Sequence, residues 1–245
     1  MSKRSAENAI AGYYYQFDKT ILEILNQEDL DTSVKIEGIE DIDIENLVGD
    51  TTYIQCKYHS KTRYVPSHIK EPIQLLLREY KKAIDNGKTN LKFVLYAHFK
   101  ENQETLAEKL EGGKLKSSEL NFLKTDILSG KKEGVEYFLY DELGMNDETL
   151  TDFVESLEID INAGDIDQQG KEVINQIKVN FNNCNNREAE YYYNNALKII
   201  FKLATKDSLD DRQISKKKFL RAIDNKKFLF NKWYAHLKGK KQYLE

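Results

Sequence analysis

The pattern of apolar residues predicts an α/β fold: a helix, three strands, a helix and a fourth strand, followed by an all-helical C-terminal region. Two observations carry this prediction. Between residues 10 and 100 the apolar spacing passes from helical to alternating, back to helical, and then to a nearly continuous run. From about Asp165 onward only helical periodicity remains. The boundary between them falls near 160–165, which divides the chain into residues 1–160 and a helical region 161–245.

The first helix is read from Ile10, Tyr14, Phe17, Ile21 and Leu25, which recur every three or four residues between Ser5 and Asn26. In "TSVKIEGIEDIDIE" isoleucines alternate with acids, the signature of two strands or of one strand bent at Gly38. "LVGDT" then makes a turn and "TYIQCKY" a further strand. The helix "SHIKEPIQLLLREYKKAIDN" carries Pro72 early, so the helix proper is expected to start there, and Asn86-Gly87 closes it. "LKFVLYAHF" has the continuous apolarity of a strand covered on both faces. Residues 101–129 read as two polar helices broken at Gly112-Gly113, "VEYFLY" as a strand, and "DETLTDFVESLEI" as a helix leading into an extended "IDIN". Ser215 is a candidate N-cap for "SKKKFLRAIDN".

Apolar content of 40% with 11% aromatics supports a packed core. No apolar run approaches a membrane span, and "MSKRSAENAI" lacks the apolar segment of a secretory signal. The two cysteines, Cys56 and Cys184, have no partner spacing and point to a reduced, cytoplasmic setting. The net charge of -4 conceals an asymmetry: residues 201–245 hold 13 Lys or Arg against 5 acids, the rest 24 against 36. A basic tail on an acidic body suits a polyanion or an acidic partner surface; a solvated helical face is the simpler reading.

The stretch "YIQCKYHS" concentrates the functional question. In an extended chain Gln55 and Lys57 share a face, and a lysine there needs a partner. About 14 residues upstream, Asp41 and Asp43 also share a face, so a hairpin can bring either of them beside Gln55 and Lys57. Isolated, the two aspartates would read as solvent-facing; with Gln55 and Lys57 opposite, they read as a site. Carboxylate and amide oxygens suit Mg²⁺, and a lysine can hold an attacking water and offset phosphate charge. The tyrosine runs 13–15 and 191–193 read as helix packing rather than base stacking, and the four histidines have no metal-ligand spacing.

Tyr15-Gln16 in the first helix, Glu37 with Glu40-Asp41 in the next strand, and Gln55-x-Lys57 after it together resemble the PD-(D/E)xK nuclease superfamily. Within it, "GYYYQFDKTILEIL", "EGIEDIDI" and "YIQCKYHS" are similar to the nuclease domain of bacterial anti-phage effectors. These are the Cap-type endonucleases of CBASS and the nuclease subunit of Lamassu and related ABC-ATPase-linked systems. The motifs cover residues 10–60 and the layout extends to about 160. The departure is Gln55, where many members carry Glu; a neutral ligand lowers the charge at the metal.

The resemblance implies a restriction-endonuclease-like core and a Mg²⁺-dependent (or Mn²⁺-dependent) endodeoxyribonuclease acting on double-stranded DNA. Asp41, Gln55 and the Cys56 backbone carbonyl would ligate the metal, Lys57 would position the water, and Glu37 and Asp43 would support them. Gln16, His59, Lys61, Lys216, Lys217 and Lys218 are the expected nucleic-acid contacts. The same resemblance implies control by an SMC-like or ABC ATPase subunit and a homo-oligomeric active form, with the helical region as partner-binding surface. The alternative is a catalytically inactive nucleic-acid-binding or assembly subunit with the same fold.

Overall fold

The computed structural model describes residues 3–132, 134–182 and 184–224. Helix α1 (Lys3–Asn26) leads into strands β1 (Ser33–Ile36), β2 (Ile42–Glu45) and β3 (Thr51–His59), helix α2 (Ser67–Asp85) and strand β4 (Leu91–Phe99). This is the expected order of helix, three strands, helix and strand. "TSVKIEGIEDIDIE" forms two strands, an antiparallel hairpin in which Ile36 pairs with Ile42. Pro72 lies inside α2 rather than at its start, one turn further along than expected.

The segment after β4 departs from the expected pair of polar helices. A single turn, α3 (Glu104–Ala107), precedes a small hairpin of β5 (Leu110–Glu111) and β6 (Lys114–Leu115). Gly112 and Gly113 make its two-residue turn with φ of 58° and 82°, a conformation that glycine reaches without strain. Next come α4 (Leu120–Phe122), continued by a π-turn, and the hairpin β7 (Ser129–Lys132) with β8 (Val135–Phe138). Helices α5 (Leu139–Glu142) and α6 (Asp147–Ser156) lead into β9 (Leu157–Asp160).

The C-terminal region holds α7 (Ile166–Asn180) and α8 (Asn186–Ala204), each opened by a capping box, from Asp165 and from Asn185. It is not all helical. Strand β10 (Gln213–Ser215) pairs antiparallel with β1, placing Ile214 beside Val34, before α9 (Lys216–Ile223). A three-residue strand carries too little alternation to stand out from helical spacing; the unpaired edge of β1 supplies its reason to extend.

The main sheet therefore has the order β10-β1-β2-β3-β4-β9, parallel at β3–β4 and β4–β9 and antiparallel elsewhere. Strands β3 and β4 are covered on both faces. Ile54, Cys56, Val94 and Tyr96 pack with α1, α7, α8 and α9. Tyr53, Phe93, Leu95 and Ala97 pack with α2 and α6. Alternation thus puts Gln55 and Lys57 on the α2 side of the sheet. The helix stripe of α1 also differs from the expected one. Tyr15, Ile21, Leu22 and Leu25 are buried, whereas Ile10 and Tyr14 face outward. Among the described residues no helix is long and apolar enough to cross a membrane.

Candidate functional site

The β2–β3 register pairs Ile42 with Ile54, so Asp41 meets Gln55. Asp41 Oδ2 accepts hydrogen bonds from Gln55 Nε2 and from the Cys56 backbone N–H, the latter at 2.7 Å. Burial pushes the Asp41 carboxyl up to about 6, against the Cys56 N–H and Lys57, which hold it down. Glu37 sits in the left-handed region at φ 50°, and its Oε1 accepts from Gln16 Nε2 at 2.7 Å. The same amide nitrogen reaches the Asp41 carbonyl at 3.3 Å. Gln16 thereby ties α1 to the turn between β1 and β2.

Asp43 closes that turn. Its two carboxylate oxygens accept from the backbone N–H groups of Ile39 (2.8 Å) and Glu40 (3.0 Å). A Cβ at Gly38 would lie 2.2 Å from Asp43 Oδ2, so only glycine lets the carboxylate fold over the turn. Lys57 is half-buried and forms no ion pair among the described residues. Its nearest electrostatic company is acidic. Burial, then Asp41, Glu79 and Asp43, push the Glu40 carboxyl up to about 8, and Lys57 only partly offsets them. Glu79, on α2, was not foreseeable from the motifs; only the packing of α2 over the sheet brings it here.

As arranged, this donor set does not fit a Mg²⁺ ion. Asp41 Oδ2 already takes two N–H donors, Gln55 turns its amide nitrogen toward it, and both Asp43 oxygens are engaged. Among the described residues no three His, Cys, Asp or Glu side chains converge as metal ligands. Mg²⁺ prefers several hard oxygens with lone pairs free toward it.

The expected contacts outside this cluster fall in two places, the end of β3 and the start of α9. His59 packs against both His68 (4.5 Å) and Phe99 (5.2 Å), and burial with the His68 and Lys57 charges lowers it to about 4. It is a neutral packed ring near pH 7. Lys61 is exposed, beside Glu7 at 2.8 Å. Lys216 donates to the carbonyls of Leu25 (2.7 Å) and Gln27 (2.8 Å) at the C-terminal end of α1, which removes it from any surface contact. Lys217 faces Asp31 at 4.0 Å, and Lys218 is exposed. The basic residues from Lys226 onward lie outside the described residues.

No protein-family model and no curated protein matches the chain. Among solved structures it is similar to the Moraxella osloensis Cap4 SAVED/CARF-domain containing receptor, with a TM-score of 0.49 and 14% identity. That match covers 85% of this chain and 45% of the receptor. The Acinetobacter baumannii Cap4 receptor, described with the cyclic trinucleotide 2'3'3'-cAAA, gives 0.49 and 12% over 86% of this chain and 42% of its own. The chain thus spans less than half the length of either receptor. Both are described as receptors and neither as a nuclease. That finding overturns the expectation of a metal-dependent DNA endonuclease effector.

Proposed function

We propose that the chain is a nucleic-acid-binding subunit that holds its polyanion without cutting it. The observation that carries this reading is the hydrogen-bonded knot of Asp41, Gln55 and Cys56 together with the cations at the ends of two adjacent parallel strands. Lys57, Lys61, Arg63 and Lys100 lie at the C-terminal ends of the parallel strands β3 and β4. The Lys100 backbone N–H donates to the carbonyls of His59 (3.1 Å) and Thr62 (3.2 Å), fixing the two strand ends together. In open α/β sheets, ligands sit in the crevice beyond the carboxyl ends of the strands. The pairs of Lys61 with Glu7 and Lys100 with Glu101 are exposed and worth little, so phosphates can replace the carboxylates. Both structural neighbours carry the Cap4 name, which agrees with the Cap-type motifs of residues 10–60 and with an anti-phage setting.

Contacts of this kind are to phosphate and carry little sequence information. Binding of a short DNA duplex by fluorescence anisotropy should weaken steeply with salt, as condensed counterions are released. Changing Lys61, Arg63 and Lys100 together to Glu should abolish measurable binding at 150 mM salt, and the residual slope of log K against log salt should fall by about 2–3. Two results would sink the reading: no duplex binding by the unaltered chain at low salt, or Mg²⁺-dependent cleavage of the duplex by it.

A further inference from the structure

The outward face of α1 that breaks the expected stripe does not lie on open surface. Ile10, Tyr13, Tyr14 and Phe17 form one wall of a groove of about 480 Å³ whose other wall is Phe201 at the end of α8. Tyr13 is 57% and Phe201 56% exposed, although each is a large ring that folding normally hides. The Tyr14 ring is held in place, its hydroxyl 2.9 Å from the Tyr193 hydroxyl, which donates to Asp18 at 2.7 Å. The wall is therefore preorganised, and a groove of this volume is the size of a small-molecule site.

Charge at the mouth narrows the ligand. Arg212 lines the groove, and its guanidinium donates to two neutral acceptors, the Lys206 carbonyl (2.8 Å) and the Glu37 carbonyl (3.1 Å). Among the described residues no carboxylate forms an ion pair with it, so the guanidinium is positioned by neutral groups. Glu37 lines the same groove, and its carboxylate, one oxygen of which accepts from Gln16, is the acceptor at hand there. Rings for stacking, a fixed guanidinium for a phosphate and a carboxylate for an exocyclic amine are the three contacts an unpaired base of a nucleic-acid strand requires. An acidic peptide would meet Arg212 equally well, but its carboxylates would bring like charge against the Glu37 carboxylate.

We infer that the groove between α1 and α8 receives an unpaired, amine-bearing nucleobase of a single-stranded nucleic acid, with the adjoining phosphate on Arg212. This rests on the nucleic-acid-binding reading and names a second ligand form for it. Glu37 belongs both to the groove and to the turn that Gln16 ties to Asp41, so the two binding surfaces adjoin.

The test compares fluorescently labelled dA and dT single strands of about 15 nucleotides with a duplex of similar length. The unaltered chain should bind the dA strand several-fold more tightly than the dT strand, because thymine has no exocyclic amine to offer Glu37. A Tyr13→Ala, Phe201→Ala double variant should lose about tenfold in affinity for the dA strand and stay within about twofold on the duplex. Both side chains are exposed, so its melting temperature should not move. Unchanged affinity for the dA strand in this variant, with normal duplex binding, overturns the groove alone. Parallel loss on strand and duplex overturns it as well, since the rings would then not be selective for unpaired bases. Failure of the unaltered chain to bind either form overturns the nucleic-acid-binding reading itself.

Discussion

Asp41 illustrates how one carboxylate can serve the fold and the site at once. Its Oδ2 holds the Gln55 amide and the Cys56 N–H across two strands, so removing it leaves a buried side-chain amide and a backbone N–H without their acceptor. Asp41→Ala should therefore destabilise the protein by about 1–3 kcal/mol, contrary to what a purely surface-facing site would show. Asp41→Asn, which keeps an acceptor oxygen, should lose less. Urea unfolding of the two variants side by side checks this; equal stability of Asp41→Ala and the unaltered chain would refute it. Asp18 makes a different prediction. It is buried, accepts from Tyr193, and its carboxyl is pushed by burial from 3.8 up to about 7. The folded chain keeps this proton where the unfolded chain gives it up. The stabilisation is thus fully present below about pH 4 and is lost as the pH rises through 7. Glu40, raised to about 8, acts in the same direction. Asp18→Asn retains the acceptor without the charge. It should flatten the decline in stability between pH 5 and 8 and gain about 1–2 kcal/mol at pH 8. A decline that is equally steep in both proteins would count against Asp18 as its source.

At the level of elements, Lys216 shows a basic residue acting as a helix stop. The last carbonyls of a helix lack intrahelical donors, and Lys216 Nζ reaches Leu25 and Gln27 at the end of α1. Lys216→Met, which keeps the stem and removes the amine, should cost about 1–2 kcal/mol in thermal or urea unfolding. Lys218→Glu, on an exposed position of the same helix, should cost almost nothing. The lysine run alone could not separate these roles, because the difference lies in which side chain α9 turns toward α1. Long amphipathic elements such as α1, α2, β3 and β4 were legible, since burial of a whole face leaves a pattern in the chain. Within α1, however, Ile10 and Tyr14 looked like core and line a groove, because hydrophobic spacing does not reveal which rings find partners. Gly112-Gly113 read as a helix break and proved a hairpin turn, a choice set by positive φ rather than by period. The pairing of Asp41 with Gln55 followed from strand register, whereas Glu79 and Arg212 come from elements that only the tertiary packing brings near.

Across the whole molecule, the expected boundary near 160 falls through a shared core. On one face of the sheet Ile36, Ile42, Ile54 and Tyr15 pack in a single cluster with Val173 and Ile177 of α7, Ala196 and Ile200 of α8, and Phe219 of α9. Polar ties cross the same line: Gln169 Nε2 donates to the Tyr15 carbonyl at 2.8 Å, and Tyr193 to Asp18. Strand β10 extends the sheet itself. Burying each large aliphatic or aromatic side chain contributes roughly 1.5–3 kcal/mol, and a domain's net stability is about 5–15 kcal/mol. Loss of α7, α8, β10 and α9 together exceeds that margin and leaves α1 alone over that face of the sheet, its own outer apolar side chains uncovered. A fragment ending at residue 160 should therefore retain helical circular dichroism from α1 and α2 but lack a sharp urea transition, and should bind a hydrophobic dye. The full chain should unfold in one cooperative step by fluorescence and by circular dichroism alike. A fragment of residues 1–160 with a steep transition of its own would show that the helices are an appendage and that the sheet carries its stability alone.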